Sequence, residues 1–229
     1  MNISKNLAKK ISNYDNPNSI GSRFRKRRSE ILKNLIANNL KTASHITILD
    51  VGGRRSYWNI IPLEWLREKC VKITLLNIEA SNEKLESDVF VQVRGDGRFL
   101  QFPDKTFDIC HSNSVIEHVG DFEDMKLFAR EIARVGQKYF VQTPSFFFPI
   151  EPHAMFPFFH WFPIWLRVRI IMSYSIGHWR KAANKREAQE IVKSAQLLKK
   201  SDLYKLFPDA SRIYTEHFIL PKSYIVVKE

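Results

Sequence analysis

Ile46-Thr47-Ile48-Leu49-Asp50-Val51-Gly52-Gly53 constrains the fold more than any other stretch of the chain. An apolar, β-branched run broken early only by Thr47 reads as a short buried strand. It ends on a carboxylate, Asp50, and passes into two glycines, where the backbone can take positive φ and let a ligand approach closely. Open α/β sheets build nucleotide-type sites this way, at the carboxyl ends of their strands. An ordinary strand closing on a Gly-Gly turn would look the same, so the remainder of the chain has to decide between them.

It does so by alternation. Apolar runs at 71–78, 90–93, 107–112 and 139–143 read as four further strands. Between them, Pro62 opens a helix running to about Cys70, and Met125, Phe128, Ile132 and Val135 mark the buried face of a helix from 122 to 135. Strands and helices in alternation with short connections predict a parallel sheet covered on both faces, an α/β, Rossmann-like, doubly wound fold. Helices are expected at 163–174, 183–198 and 203–207, and two closing strands at 211–219 and 223–227, antiparallel to one another. Ahead of the sheet, apolar residues at 31, 32, 35, 36 and 40 predict a helix whose basic start, Arg23 to Arg28, is exposed. Residues 1–45 thus read as a basic N-terminal arm and helix, and 46–229 as one domain with an insert at about 146–200.

Charge sharpens this division. The chain of 229 residues carries a net +12, and residues 1–45 hold ten Lys/Arg against Asp15 and Glu30. Residues 165–205 hold ten more against Glu187, Glu190 and Asp202. Such flanks suit a phosphate-bearing substrate, an anionic membrane surface or nucleic acid, and equally a solvated basic surface. Only Cys70 and Cys110 are present, with no C-x-x-C spacing, which argues against a disulfide framework or a zinc site; no metal-ligand set is read. The N-terminus lacks the apolar run of a signal peptide and no uncharged run reaches a membrane span, so a cytoplasmic location is expected.

Candidate site residues fall at successive strand ends. Asp50, Gly52 and Gly53 follow the first strand; Glu79 follows the second, where an acidic residue can accept both ribose hydroxyls. Asp96 lies in the turn Gly95-Asp96-Gly97, within reach of a donor such as an adenine amino group. Asn113 follows the fourth strand, ahead of Val115-Ile116-Glu117-His118-Val119. Each alone is weak; their order is the signal.

Together with Phe102-Pro103-Asp104-Lys105-Thr106-Phe107-Asp108, these segments resemble a class I S-adenosylmethionine-dependent methyltransferase of the type-11-like group, whose signature reads FPD-x-x-FD followed by EHV. The resemblance covers about 46–145 well and the last two strands loosely. It implies a seven-stranded, mostly parallel sheet with an antiparallel last strand. It also implies S-adenosylmethionine as cofactor, with Asp50, Gly52 and Gly53 against its methionine portion, Glu79 on the ribose, Asp96 and Gly97 facing the adenine, and Asn113 near the transferred methyl. One departure stands out: where the family turn reads Gly-x-Gly-x-Gly, this chain has Gly52-Gly53-Arg54-Arg55-Ser56, so that Arg54 either crowds the cofactor or swings out while Gly53 takes the special backbone role.

The proline- and aromatic-rich insert resembles the family's substrate-recognition region. Glu151-Pro152-His153 is a rigid turn in which His153 could take a proton from an acceptor hydroxyl or amine, and His118 is a second candidate. A histidine packed in an aromatic lid, or one structural at a helix start, is the plainer reading of each. The acceptor expected is a small molecule or a sugar-linked or lipid-linked group. The mixture of Phe, Trp, Arg and Lys at 155–181 leaves peripheral membrane contact open, against an alternative in which the aromatics pack on the sheet as a lid. An RNA methyltransferase is the second enzyme reading, without a recognisable RNA module to support it. A non-catalytic partner protein with the same fold is a third, kept alive by Arg54. A nicotinamide dehydrogenase is disfavoured because Gly-x-Gly-x-x-Gly is absent after the first strand.

Overall fold

The computed structural model describes residues 20–40, 44–79, 82 and 84–229. The expected arm before residue 20 lies outside the described residues. Seven strands form one sheet in the order β3-β2-β1-β4-β5-β9-β8. They are β1 (Ile46–Val51), β2 (Val71–Asn77), β3 (Phe90–Arg94), β4 (Phe107–Asn113), β5 (Gly136–Pro144), β8 (Arg212–Phe218) and β9 (Leu220–Lys228). The first five are mutually parallel, and β9 runs antiparallel to both β5 and β8. The chain leaves β3 at one edge and returns as β4 on the other side of β1. That reversal opens a crevice beyond the carboxyl ends of β1 and β4, the place where such sheets bind ligands.

Both faces of the sheet are covered. Helix α1 (Ile20–Asn39) packs Leu32, Leu35 and Ile36 on one face, beside Trp58 of a 3-10 turn (Arg55–Ile60) and Leu66 of α2 (Leu63–Glu68). The opposite face takes α3 (Phe122–Val135) through Met125, Phe128, Ile132 and Val135, with Leu203 and Leu206 of a short helix, Lys200–Leu206. Helix α3 starts where it does because the Asp121 carboxylate accepts from the Glu123 and Asp124 backbone N–H groups, while Asp124 reaches back to the Asp121 N–H.

Three expectations need correcting. The basic start of α1 is not wholly exposed: Arg28 is turned inward and buried, while Arg23, Lys26 and Arg27 face solvent. The polar helix expected at 183–198 is shorter, Lys185–Lys193. Ser194 Oγ donates to the Ile191 carbonyl, and the chain then leaves the helix so that Leu198 can bridge in parallel to Ser145 and the Gln196 N–H can reach the Glu117 carbonyl. The strand expected at 139–143 starts earlier, at Gly136, where the helix hands directly into it.

The insert follows β5 as a two-stranded hairpin (β6, Ile150–Glu151, and β7, Phe156–Pro157), a 3-10 turn and helix α4 (Ile164–Ser173), with the helix Lys185–Lys193 as α5 and Lys200–Leu206 as α6. Phe159 and Trp179 of the insert do not join the two clusters that cover the sheet. Ala154, Phe159, Val168, Ile171, Ile176, Ala188 and Val192 form a core of their own. Phe147, Phe158, Trp161, Ile164, Trp165 and Tyr174 stay exposed. No helix among the described residues is long and apolar enough to cross a membrane.

Candidate functional site

The turn after β1 is held by its neighbours on both sides. The Gly52 N–H donates to the Leu76 carbonyl at 2.7 Å, and Asn77 Nδ2 donates to the Gly53 carbonyl at 2.7 Å. Gly52 takes the left-handed conformation at φ +73°, so the special backbone role belongs to it. Gly53 is required for space instead: a Cβ there would sit 1.9 Å from Asp50 Oδ2. Arg54 has extended backbone (φ −125°, ψ 145°) and an exposed side chain, so this position makes no demand for glycine.

Asp50 is not open to solvent at the turn. Buried, it accepts from Trp58 Nε1 at 2.8 Å and from His111 Nδ1 at 2.7 Å. The carboxylate thereby ties the end of β1 to the 3-10 turn and to β4. His111 Nε2 and the Tyr57 hydroxyl, both buried, have no hydrogen-bond partner among the described residues. Burial pushes the Tyr57 phenol well above its ordinary range.

Two clefts border this turn, and a third lies beyond them under the insert. The largest, about 610 Å³, is lined by Gly52, Arg54, Glu79, Asp96, Gly97 and His118 among others. Here the strand-end residues of β1, β2 and β3 meet, with Glu79 exposed at the rim. Gly97 leaves room that a Cβ would take, 2.6 Å from Val51 Cγ1 and 2.7 Å from Phe128 Cε2. The Asp96 carboxylate lies in a fork with Arg98, at 2.7 Å from Nη2, and this hydrogen bond holds its pKa below the usual carboxylate range. Arg98 also reaches Asp124 at 2.9 Å, tying the cleft wall to the start of α3. A second cleft of about 310 Å³ lies on the other side of the turn, between Arg25, Gly53, Tyr57, His111 and Asn113. A third, about 180 Å³, lies under the insert, between Ser114, Gln142 and Lys222 on the sheet side and Phe148, Ile150 and Met155 on the other.

Asn113 faces helix α1, its Oδ1 accepting from Arg28 Nη1 at 3.2 Å. His153, His118 and Glu151 come together. His153 Nδ1 is 2.6 Å from Glu151 Oε1, and His153 Nε2 is 3.0 Å from His118 Nε2. Burial pulls His153 down, but the hydrogen bond and charge of Glu151, with Glu117 behind, outweigh it and leave its pKa raised. Glu117 lies fully buried beside them; burial raises its carboxyl against the pull of both histidines.

Several of these residues escape sequence reasoning. Arg98, Tyr57, His111 and Lys222 belong to no motif. Glu117 stands inside the EHV signature, yet only its burial sets it apart from a surface carboxylate.

The cleft combines glycines at two strand ends, a carboxylate at the rim and an apolar floor of Leu76 and Phe128, a lining and a size that suit a nucleoside. Residues 57–138 match the family model described as a methyltransferase domain. No curated protein matches the sequence. Among solved structures, a protein from Pyrococcus horikoshii OT3 is similar over 97% of both chains, at 17% identity and a TM-score of 0.50. Magnesium protoporphyrin IX methyltransferase from Synechocystis PCC 6803, with bound SAH, is similar over 93% of this chain and 89% of its own, at 10% identity and a TM-score of 0.51. At these identities the likeness is one of fold. Residues 57–138 thus read as a methyltransferase domain, and S-adenosylmethionine is the cofactor to which this match points.

Proposed function

We propose that this chain is a class I S-adenosylmethionine-dependent methyltransferase of the type-11-like group, acting on a small acceptor, free or as the head of a sugar-linked or lipid-linked molecule. The observation that carries this reading is the third cleft. Its 180 Å³ suit a single ring or headgroup, and Ser114 joins it to the second cleft beside the glycine turn. Arg28, Lys222 and Gln142 give that pocket polar and basic walls, suited to hydroxyl or anionic groups.

Bound S-adenosylmethionine supplies an electrophilic methyl on a sulfonium, so the protein's work is alignment and exclusion of water. Gly52, Gly53 and Gly97 let the cofactor approach the backbone, and Glu79 holds the ribose. Asp96, already engaged by Arg98, retains lone pairs for an adenine donor. Asp50 acts indirectly, by fixing the turn. The Glu151–His153–His118 cluster, at the border of the large cleft and the insert, is placed to assist loss of the acceptor's proton as the new bond forms.

A lipid-linked acceptor is favoured among these by the surface of the insert. Trp165 is 64% exposed and shares a surface groove with Ile164, Arg169 and Lys185, and Trp161 and Phe158 are also exposed. Apolar side chains in a basic surround are the composition of an interfacial segment on an anionic membrane. The RNA reading has lost part of its basis, since Arg28 is committed to the interior.

The experiment is methyl transfer from labelled S-adenosylmethionine to three pools: water-soluble metabolites, sugar nucleotides and extracted lipids. Label in a small or lipid-linked product is expected. Label found only in added RNA would overturn the reading. Sedimentation with anionic vesicles, weakened in Trp165→Ser, separates the lipid-linked case from the others.

A further inference from the structure

Three electron-pair donors converge between the turn after β4 and the insert. His118 Nδ1 lies 2.7 Å from the Ser194 carbonyl oxygen, and His153 Nδ1 lies 2.6 Å from Glu151 Oε1. Both partners accept, so each Nδ1 carries its ring's proton. In the neutral rings each Nε2 is then a bare lone pair, and these two atoms face one another at 3.0 Å. Beside them, Glu117 is wholly buried. Its Oε2 accepts from Thr143 Oγ1 at 3.0 Å, whereas Oε1 has no hydrogen-bond partner among the described residues. Ligand atoms of Glu117, His118 and His153 all lie within 4.8 Å of one another. Lone pairs at that spacing, next to a buried carboxylate oxygen, repel unless a cation stands between them.

We propose that Glu117, His118 and His153 hold a divalent first-row transition-metal ion. With metal–nitrogen bonds of about 2.1 Å, two imidazoles at right angles on one ion stand about 3.0 Å apart. Two imidazoles and one carboxylate suit zinc, iron(II) or manganese(II); magnesium and calcium favour oxygen ligands throughout. The outer shell is present too. The Ser194 carbonyl and Glu151 orient the two rings, and Glu151 is itself held by the His153 N–H at 2.8 Å and by the Ala154 N–H. His118 also lines the large cleft, which places the ion at the border between cofactor and insert. An acceptor hydroxyl bound to such an ion gives up its proton more readily. That consequence rests on the methyl-transfer reading; the binding of the ion does not. The competing occupant is a single shared proton, as an imidazolium–imidazole pair.

The full chain, stripped with a chelator and dialysed, is titrated calorimetrically with Zn²⁺ and Mn²⁺. In parallel it is titrated with Co²⁺ and followed by visible absorption. One ion per chain is expected, with d–d bands showing nitrogen ligation. His118→Ala and His153→Ala each weaken binding about a hundredfold or more, Glu117→Gln weakens it at least tenfold, and the exposed His217→Ala changes nothing. Circular dichroism and thermal melting establish that each variant is folded. Should His153→Ala not fold, Glu151→Gln serves instead, with a loss of about tenfold. The proposal is overturned if the wild type binds none of the three ions stoichiometrically, or if the cobalt spectrum survives in the His118→Ala, His153→Ala double variant. A bound ion in a protein that transfers methyl to none of the three acceptor pools supports this site while removing the acceptor reading.

Discussion

The guanidinium of Arg28 and the carboxylate of Glu216 meet in the interior from opposite ends of the chain, with Nη2 2.6 Å from Oε2. Arg28 Nε shares the same carboxylate, at 3.0 and 3.1 Å from its oxygens. Further bonds reach Asn113, Gln142 and Ser223, so one side chain joins α1 to β4, β5, β8 and β9. Their side chains are 9% and 2% exposed, and removing one partner strands a buried charge. Arg28→Ala should therefore cost about 3–5 kcal/mol of stability in urea unfolding. The paired change Arg28→Met, Glu216→Leu should recover most of it. Equal losses in the single and double variants would refute the account.

Asp50 should behave as a structural carboxylate. Asp50→Ala leaves the Trp58 and His111 ring donors unpaired, at about 1–3 kcal/mol each. Calorimetric titration with S-adenosylhomocysteine should show weaker binding alongside the lower melting temperature. Lost affinity with unchanged stability would instead make Asp50 a direct ligand.

Glu79 should show the opposite pattern. It is exposed at the cleft rim, so Glu79→Ala is expected to leave the melting temperature within error. The loss of a ribose contact is expected to weaken cofactor binding about tenfold, equivalent to about 1.4 kcal/mol. Gly97→Ala affects both quantities, because its Cβ collides with Val51 and Phe128.

Lys222 gives the pH dependence. Burial and the charge of Arg28 depress its pKa to about 8, against the pull of Glu216. The unfolded chain therefore holds this proton more tightly than the folded one. Below about pH 8 both states carry it and the folded state bears the full cost; from there toward the ordinary lysine value of 10.5 this contribution makes stability rise with pH. Lys222→Met should stabilise the protein at pH 7 and lose that advantage toward pH 10. Amine labelling of Lys222 should reach half its maximal rate near pH 8, and a midpoint near 10 would remove the argument.

The sheet was legible in the sequence because buried parallel strands are largely apolar runs, and Ile46 to Val51 or Val71 to Leu76 show that without help from distant residues. Helix α3 was legible from its apolar spacing alone, and the Asp121 cap seen in the structure fixes the start that this spacing gave. What was hidden depends on partners remote in sequence. Nothing near Arg28 indicates that it turns inward, since the cause is Glu216. The meeting of His118 with His153 needs the insert to fold back over the turn after β4. The early end of α5 is set by bonds from residues 194–198 to Ser145, Glu117 and His118. At the glycine turn, the sequence showed that Arg54 departs from the family pattern but not that the position has extended backbone.

The insert's private core has a consequence for how such an enzyme can change. Phe159, Val168, Ile171 and Val192 are buried against one another, and the sheet's two clusters close without them. Substitutions inside the insert therefore draw on a separate reserve of stability. A lineage could trade one acceptor for another by exchanging residues 146–193 nearly whole, keeping only the few joints at Ser145, Glu117 and His118. The cofactor half would remain a fixed chassis under a replaceable head.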